Sequence, residues 1–147
     1  MRWTVGVAVL VGAMGGCASY APPTLTVSSA RVAEETDAGY VVDFAIDATN
    51  RNDVELPLKE VRYTLRLDGA EVFRGVRSPE ASLRRLGTQQ FHIPAAVPGR
   101  PAAGARYALD GELLYITPGQ LAQVLFDIRV RRPKVGFRQE GVVGKSE

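Results

Sequence analysis

Residues 61–75 constrain this chain more than any other stretch. Val61, Tyr63, Leu65 and Leu67 alternate with Arg62, Thr64, Arg66 and Asp68, which is the period of a strand with one buried and one wet face. Asp68-Gly69 follows directly. Glycine takes a positive φ without steric cost and aspartate tolerates one, so the pair predicts a two-residue type I′ hairpin turn. Val72 and Phe73 then supply the apolar residues of the return strand. Upstream, Asn50 and Asn52 are suited to bonding backbone groups in their own loop. Leu56-Pro57-Leu58 suits the approach to a strand better than its centre, because proline fixes one φ and lacks an N–H.

These residues resemble a known family. Asn50-x-Asn52, Leu56-Pro57-Leu58, Val61-x-Tyr63-x-Leu65-x-Leu67, Asp68-Gly69 and Phe73-x-Gly75 are similar to the water-stress and hypersensitive-response (WHy) domain of group 2 late-embryogenesis-abundant proteins. That pattern runs from an Asn-Pro-Asn or Asn-Pro-Tyr loop through a Leu-Pro pair and a Tyr-x-Leu strand to an Asn-Gly turn. The chain departs from it with Arg51 in place of proline and Asp68 in place of asparagine, and neither change forbids the backbone. The resemblance implies a fibronectin type III-like β-sandwich and a non-enzymatic role in desiccation or envelope stress. Its motif residues here are Asn50, Asn52, Leu56, Pro57, Tyr63, Leu65, Asp68, Gly69 and Gly75.

The remaining segments repeat the strand signal. Residues 25–32 read as a first strand and 34–39 as a polar turn. Residues 40–49 read as a second strand, with Val42, Phe44, Ile46 and Ala48 inward and Asp43, Asp47 and Thr49 outward. Residues 77–81 are a loop, and residues 83–93 hold a strand with Phe91 and Ile93 inward. The proline- and glycine-rich residues 94–104 read as a loop. Tyr107, Leu109, Gly111, Leu113 and Tyr115 alternate with Ala108, Asp110, Glu112 and Leu114, and Gly111 marks a bulge or a close backbone approach. After a turn at Thr117-Pro118-Gly119, residues 120–124 form at most one helical turn. Phe126, Ile128 and Val130 read as the last core strand, and residues 133–147 as a polar tail in which 135–137 add at most a short edge. About seven short strands at near-regular spacing predict an all-β, antiparallel sandwich of fibronectin type III or immunoglobulin kind over residues 24–132. At 147 residues with a formal charge of +2, one domain is expected and no nucleic-acid partner is implied.

The chain begins Met1-Arg2-Trp3-Thr4, continues through an apolar run and reaches Gly15-Gly16-Cys17. A short basic start, about ten to twelve apolar residues against the roughly 20 of a spanning helix, and small residues before the break read as a secretory signal. Cys17 is the only cysteine, so no intrachain disulfide forms. It sits where a bacterial lipobox places the acyl-accepting thiol, with Met14 in place of the usual leucine. The alternative is an incidental cysteine in a signal cut after Ala18 or Ala21, and Pro22 disfavours the second. Lipidation makes residues 1–16 the signal and Cys17 the lipid attachment point. It leaves a short tether to residue 23, reaching about 20 Å. Ala18 follows Cys17 where aspartate would retain the protein in the inner membrane, so the expected place is the outer membrane on its periplasmic side.

Little in the chain offers catalysis. His92 is the single histidine. It falls between inward Phe91 and Ile93, hence on a wet face with no second imidazole to work with. Asp43 and Asp47 share one strand face roughly 13 Å apart, too far for a common proton or metal. Asp53 and Glu55 offer a weak cation site at best against a solvated acidic loop. Arg129, Arg131, Arg132 and Lys134, with Arg84 and Arg85, form either a stripe towards anionic lipid or lipopolysaccharide phosphate or an ordinary charged face. No catalytic residue, metal site or cofactor is expected. The partners expected are the membrane through its lipid anchor and, weakly, client proteins. Two readings of function follow: a stress-protective lipoprotein, or an adaptor whose sandwich docks an envelope partner through an edge strand.

Overall fold

The computed structural model describes residues 20–102 and 104–144. The leader, Cys17 and the last three residues lie outside that range, so the signal over residues 1–16 and the lipid attachment at Cys17 stand as expectations. Within it the chain forms β1 (Thr24–Glu35), β2 (Gly39–Asn50), β3 (Leu56–Leu67), β4 (Ala70–Arg77), a two-residue β5 (Ser82–Leu83), β6 (Gly87–Pro98), β7 (Arg106–Tyr115), helix α1 (Gln120–Asp127) and β8 (Lys134–Val142). One sheet runs β1-β2-β6, the other β4-β3-β7-β8 with β5 on the start of β3. All ladders between these strands are antiparallel, and one isolated parallel bridge joins Arg31 to Gly144. This is the all-β sandwich that the alternation predicts.

Side-chain period decides what lies between the sheets. Val42, Phe44, Ile46 and Ala48 of β2 face Val61, Tyr63 and Leu65 of β3 and Leu109 and Leu113 of β7 in one buried cluster, joined by Phe91 and Ile93 of β6. The Phe44 and Tyr107 rings meet edge to face at 5.3 Å across the core. Asp68 (φ 47°) and Gly69 (φ 86°) both have positive φ, as the type I′ turn requires. The turn is tied down from β7: the Asp68 N–H donates to the Arg106 carbonyl at 2.9 Å and the Arg106 N–H to Asp68 Oδ1 at 3.1 Å.

Gly111 turns out to be a close approach. Its register is regular, opposite Tyr63 on one side and Phe137 on the other, and the Phe137 ring lies where a Cβ would stand, 2.1 Å from that position. Gly75 repeats the arrangement under Phe73, whose ring would come within 2.5 Å of a Cβ. An aromatic ring laid over a glycine, from the neighbouring strand at Gly111 and from two residues earlier in the same strand at Gly75, covers backbone that no side chain of its own protects.

Three segments differ from the sequence reading. Residues 94–98, expected in a loop, continue β6, with Ala95 and Val97 buried. β6 is the edge of its sheet. The Pro94 carbonyl accepts the Tyr63 hydroxyl from the other sheet, so this residue's polar groups point to the free edge and its missing N–H costs no ladder bond. Phe126, Ile128 and Val130, expected as the last core strand, instead end α1 and its exit turn. The last core strand is β8, in the segment expected to be a polar tail, where Val135 and Phe137 pack on the core.

Helix α1 ends by a backbone device. The Arg129 N–H donates to the Phe126 carbonyl at 3.1 Å and the Val130 N–H to the Leu125 carbonyl at 2.9 Å, with Arg129 at φ 63°. This is a Schellman ending with arginine where glycine is usual. Phe126 packs with Leu114 and Ile116 in a small second cluster on the outer side of the sheet. Leu114, read from its parity as outward, is therefore buried by the helix.

Candidate functional site

The motif residues gather at one end of the sandwich. β2 and β7 end there, β1, β3, β6 and β8 begin there, and the chain enters there. Asn50 is the one buried polar side chain among the described residues, 1% exposed. Its amide nitrogen donates to the carbonyls of Val54 (2.7 Å), Arg84 (3.2 Å) and Leu83 (3.3 Å). Its Oδ1 accepts from the Asn52 N–H at 2.9 Å and from Asn52 Nδ2 at 2.8 Å. Asn52 in turn grips the entering chain: the Ala21 N–H donates to Asn52 Oδ1 and Asn52 Nδ2 to the Ala21 carbonyl, both at 2.9 Å. Two asparagines thus tie the arriving N-terminal arm, the loop 51–55 and the turn after β5 into one knot, in which every donor and acceptor of the buried amide is used.

Leu56 is fully buried and pairs with Leu83. Pro57 sits beside it, and its carbonyl accepts the Ile116 N–H at 2.9 Å, which ties the connection 116–133 to the same end. Tyr63 and Leu65 are core; Gly75 lies under Phe73, and Asp68 and Gly69 lie at the far end. The motif therefore splits: Asn50, Asn52, Leu56 and Pro57 build the entry end, while Tyr63, Leu65, Asp68, Gly69 and Gly75 hold the central hairpin.

The wet faces carry dispersed polar pairs. His92 Nδ1 lies 2.7 Å from Asp43 Oδ2 across the β2–β6 ladder. Asp47 takes Gln90 Nε2 at 2.9 Å instead, so the two aspartates have separate partners. Ser28 Oγ donates to the Ala45 carbonyl at 3.2 Å and accepts from Gln90, so it is engaged away from His92. Among the described residues no group of three or more His, Cys, Asp or Glu side chains is placed to hold a metal. Two shallow depressions of about 410 and 420 Å³ lie at the far end, lined in part by Tyr40 and Val97 and by Tyr107 and Glu140. Neither contains His92. Burial raises the hydroxyl pKa of Tyr40, Tyr63, Tyr107 and Tyr115, which disfavours the tyrosinate form in each.

Sequence reasoning missed what protrudes from the entry end. Leu86 stands at the tip of the turn between β5 and β6, 71% exposed and at φ 48°. Ile128 and Val130 are 61% and 70% exposed. The signal was present as Arg84-Arg85-Leu86-Gly87, a turn with an unprotected apolar tip.

The sheet order β1-β2-β6 against β4-β3-β7-β8, closed at one end by an asparagine knot, defines an all-β, fibronectin type III-like sandwich. Within that class the chain belongs to the LEA_2 family, Late embryogenesis abundant protein, whose model matches residues 45–141. That is a non-enzymatic kind of family. The solution structure of an Arabidopsis thaliana protein has the same fold at TM-score 0.66 and 15% identity, covering 90% of this chain and 89% of that one. The solution structure of a putative late embryogenesis abundant protein is similar at TM-score 0.62 and 17% identity, over 83% of this chain and 70% of that one. A search of curated proteins returns no match.

Proposed function

We propose that the chain is a lipid-anchored, non-enzymatic envelope protein of the WHy-domain kind, which protects proteins or membrane during desiccation or related stress. Family membership over residues 45–141 carries this reading. The leader with its single Cys17 supports a membrane anchor, and Ala18 after it supports the periplasmic side of the outer membrane. Dispersed polar pairs on both wet faces favour weak contacts with many clients.

Protection by such a sandwich is stoichiometric, because the folded surface must contact what it protects. The domain from Tyr20 onward, dried with a desiccation-sensitive enzyme, is expected to preserve activity in proportion to its molar ratio. Performance no better than serum albumin at equal mass sinks the protective reading and leaves the adaptor, for which a pull-down returning one stoichiometric partner is the corresponding result. Anchoring is tested apart from this. Cys17→Ser should leave a folded domain that no longer reaches the lipidated mass; a variant that still enters detergent at the mature mass removes the anchor.

A further inference from the structure

We infer that the entry end of the sandwich is a membrane-docking surface that lies on bilayers carrying anionic phospholipid. It is built from the Arg84-Arg85-Leu86 turn and the Ile128-Arg129-Val130-Arg131 exit of α1. The inference rests on the envelope reading for the presence of a membrane beside the chain, and it holds whether or not Cys17 is acylated.

The first ground is where the chain enters. Ala21 is fixed to Asn52 by two hydrogen bonds and Pro23 is fully buried, so the chain is held to this end of the sandwich only a few residues after Cys17. At about 3.3–3.6 Å per residue the four residues from Cys17 to Ala21 reach at most roughly 15 Å. A membrane held by the leader or by its lipid therefore faces this end and not the far one.

Exposed apolar side chains are the second ground. Leu86, Val124, Ile128 and Val130 are four of the six large apolar residues left exposed among those described, and all four are on this end. Leu86 and Arg129 both hold a left-handed backbone, φ 48° and 63°, in turns where glycine or asparagine would sit without strain. Stability would favour other residues at these places, so the choice of a leucine tip and an arginine exit points to a contact made outside the domain.

Charge supplies the third. Arg62, Arg66, Arg74 and Arg138 on the opened sheet faces each have a carboxylate within 3.4 Å. Arg84, Arg85, Arg129 and Arg131 are exposed and have no such partner among the described residues. Far-end loops 36–38, 68–69 and 99–105 carry Asp37 and Asp68 against Arg100, whereas the entry end sets Arg51, Arg84, Arg85, Arg129, Arg131 and Arg132 against Asp53, Glu55 and Asp127, a basic excess. Cationic guanidinium groups interleaved with apolar tips suit a headgroup layer, where the charge meets phosphate and the leucine, isoleucine and valine reach the acyl boundary.

Vesicle sedimentation of the fragment 20–147, whose core closes between Pro23 and Val143, tests this without the anchor. Vesicles of phosphatidylcholine with phosphatidylglycerol should carry the fragment down at low salt, and phosphatidylcholine alone should not. Arg129→Ser with Arg131→Ser should lower the partition roughly tenfold or more. Ile128→Ser with Val130→Ser should lower it as well, and Val142→Ser, exposed at the far end, should leave it unchanged. Equal partition to both vesicles, absence of binding, or an equal loss from Val142→Ser overturns the inference. Intact mass of the membrane-extracted chain decides the Cys17 anchor separately.

Discussion

Tyr63 is the side chain on which most depends. Its ring is core, stacked obliquely on Phe73 at 5.5 Å, and its hydroxyl ties the two sheets through the Pro94 carbonyl. Tyr63→Phe keeps the packing and leaves that edge carbonyl without its donor, so it should cost about 1–3 kcal/mol by chemical denaturation. Tyr63→Ala should cost about 3–5 kcal/mol, and Leu65→Ala about 2–5. A melting shift of only a degree or so in the alanine variants would put these residues outside the core. Gly111→Ala drives a methyl into the Phe137 ring and should destabilise by about 1–3 kcal/mol, with Phe137→Ala restoring part of the loss in the double variant. Asn50→Ala removes the donor for three carbonyls at once. It should be among the most damaging polar substitutions in the chain, and it should also free the N-terminal arm, read as faster proteolysis before Thr24.

At the level of elements, the exit of α1 sets stability against the proposed docking. Arg129→Gly relieves the left-handed backbone at the helix end and should raise stability by about 0.5–1 kcal/mol after glycine's extra chain entropy, while weakening binding to anionic vesicles. A destabilised Arg129→Gly would mean that the arginine side chain contributes packing at the helix end. This element also marks where the sequence stopped being legible. Residues 40–49, 61–73 and 107–115 were readable because one face of each is core and the other is water, so period two is imposed on composition. Asp68-Gly69 was readable because only a few residues accept its backbone. Phe126, Ile128 and Val130 have the same period by accident: Phe126 caps a small outer cluster, and the other two are exposed. The glycine that would have signalled the helix end is an arginine. β8 was hidden for the opposite reason, since Gln139 and Gly141 thin its inner face and its buried contribution rests on Val135 and Phe137. Pro94 was read as a breaker because edge position is a property of the sheet and not of the residue. Of the site, the Asn50 loop was legible as a motif, but its grip on Ala21 and Leu83 joins positions 31 and 33 residues apart, which local spacing does not reveal.

For the whole molecule, the absence of any cysteine beyond residue 17 leaves the core to hold the fold, and four tyrosines are spread through that core. Tyr40, Tyr63, Tyr107 and Tyr115 are each at most 8% exposed, and in each burial is the first cause that raises the pKa above the ordinary value of about 10. Arg77 beside Tyr63 and Arg131 beside Tyr115 oppose the shift without reversing it. A phenol whose pKa is higher when folded than when unfolded favours the folded state in its neutral form. Its contribution is fully present below pH about 10 and is lost as the pH rises from there through the raised values. Because the four sit on β2, β3 and β7 in both sheets, none of them ionises deeply without loosening the packing between the sheets. Titration into alkali should therefore show these tyrosinates appearing together with the loss of β-sheet circular dichroism, in one transition that begins above pH about 10. Tyr63→Phe should lower the absorbance amplitude of that transition and bring its midpoint to lower pH, since it removes one titrating group and weakens the tie between the sheets. If the tyrosinate signal from these residues is complete while the circular dichroism is still native, they are not packed between the sheets, and the core register drawn from them fails.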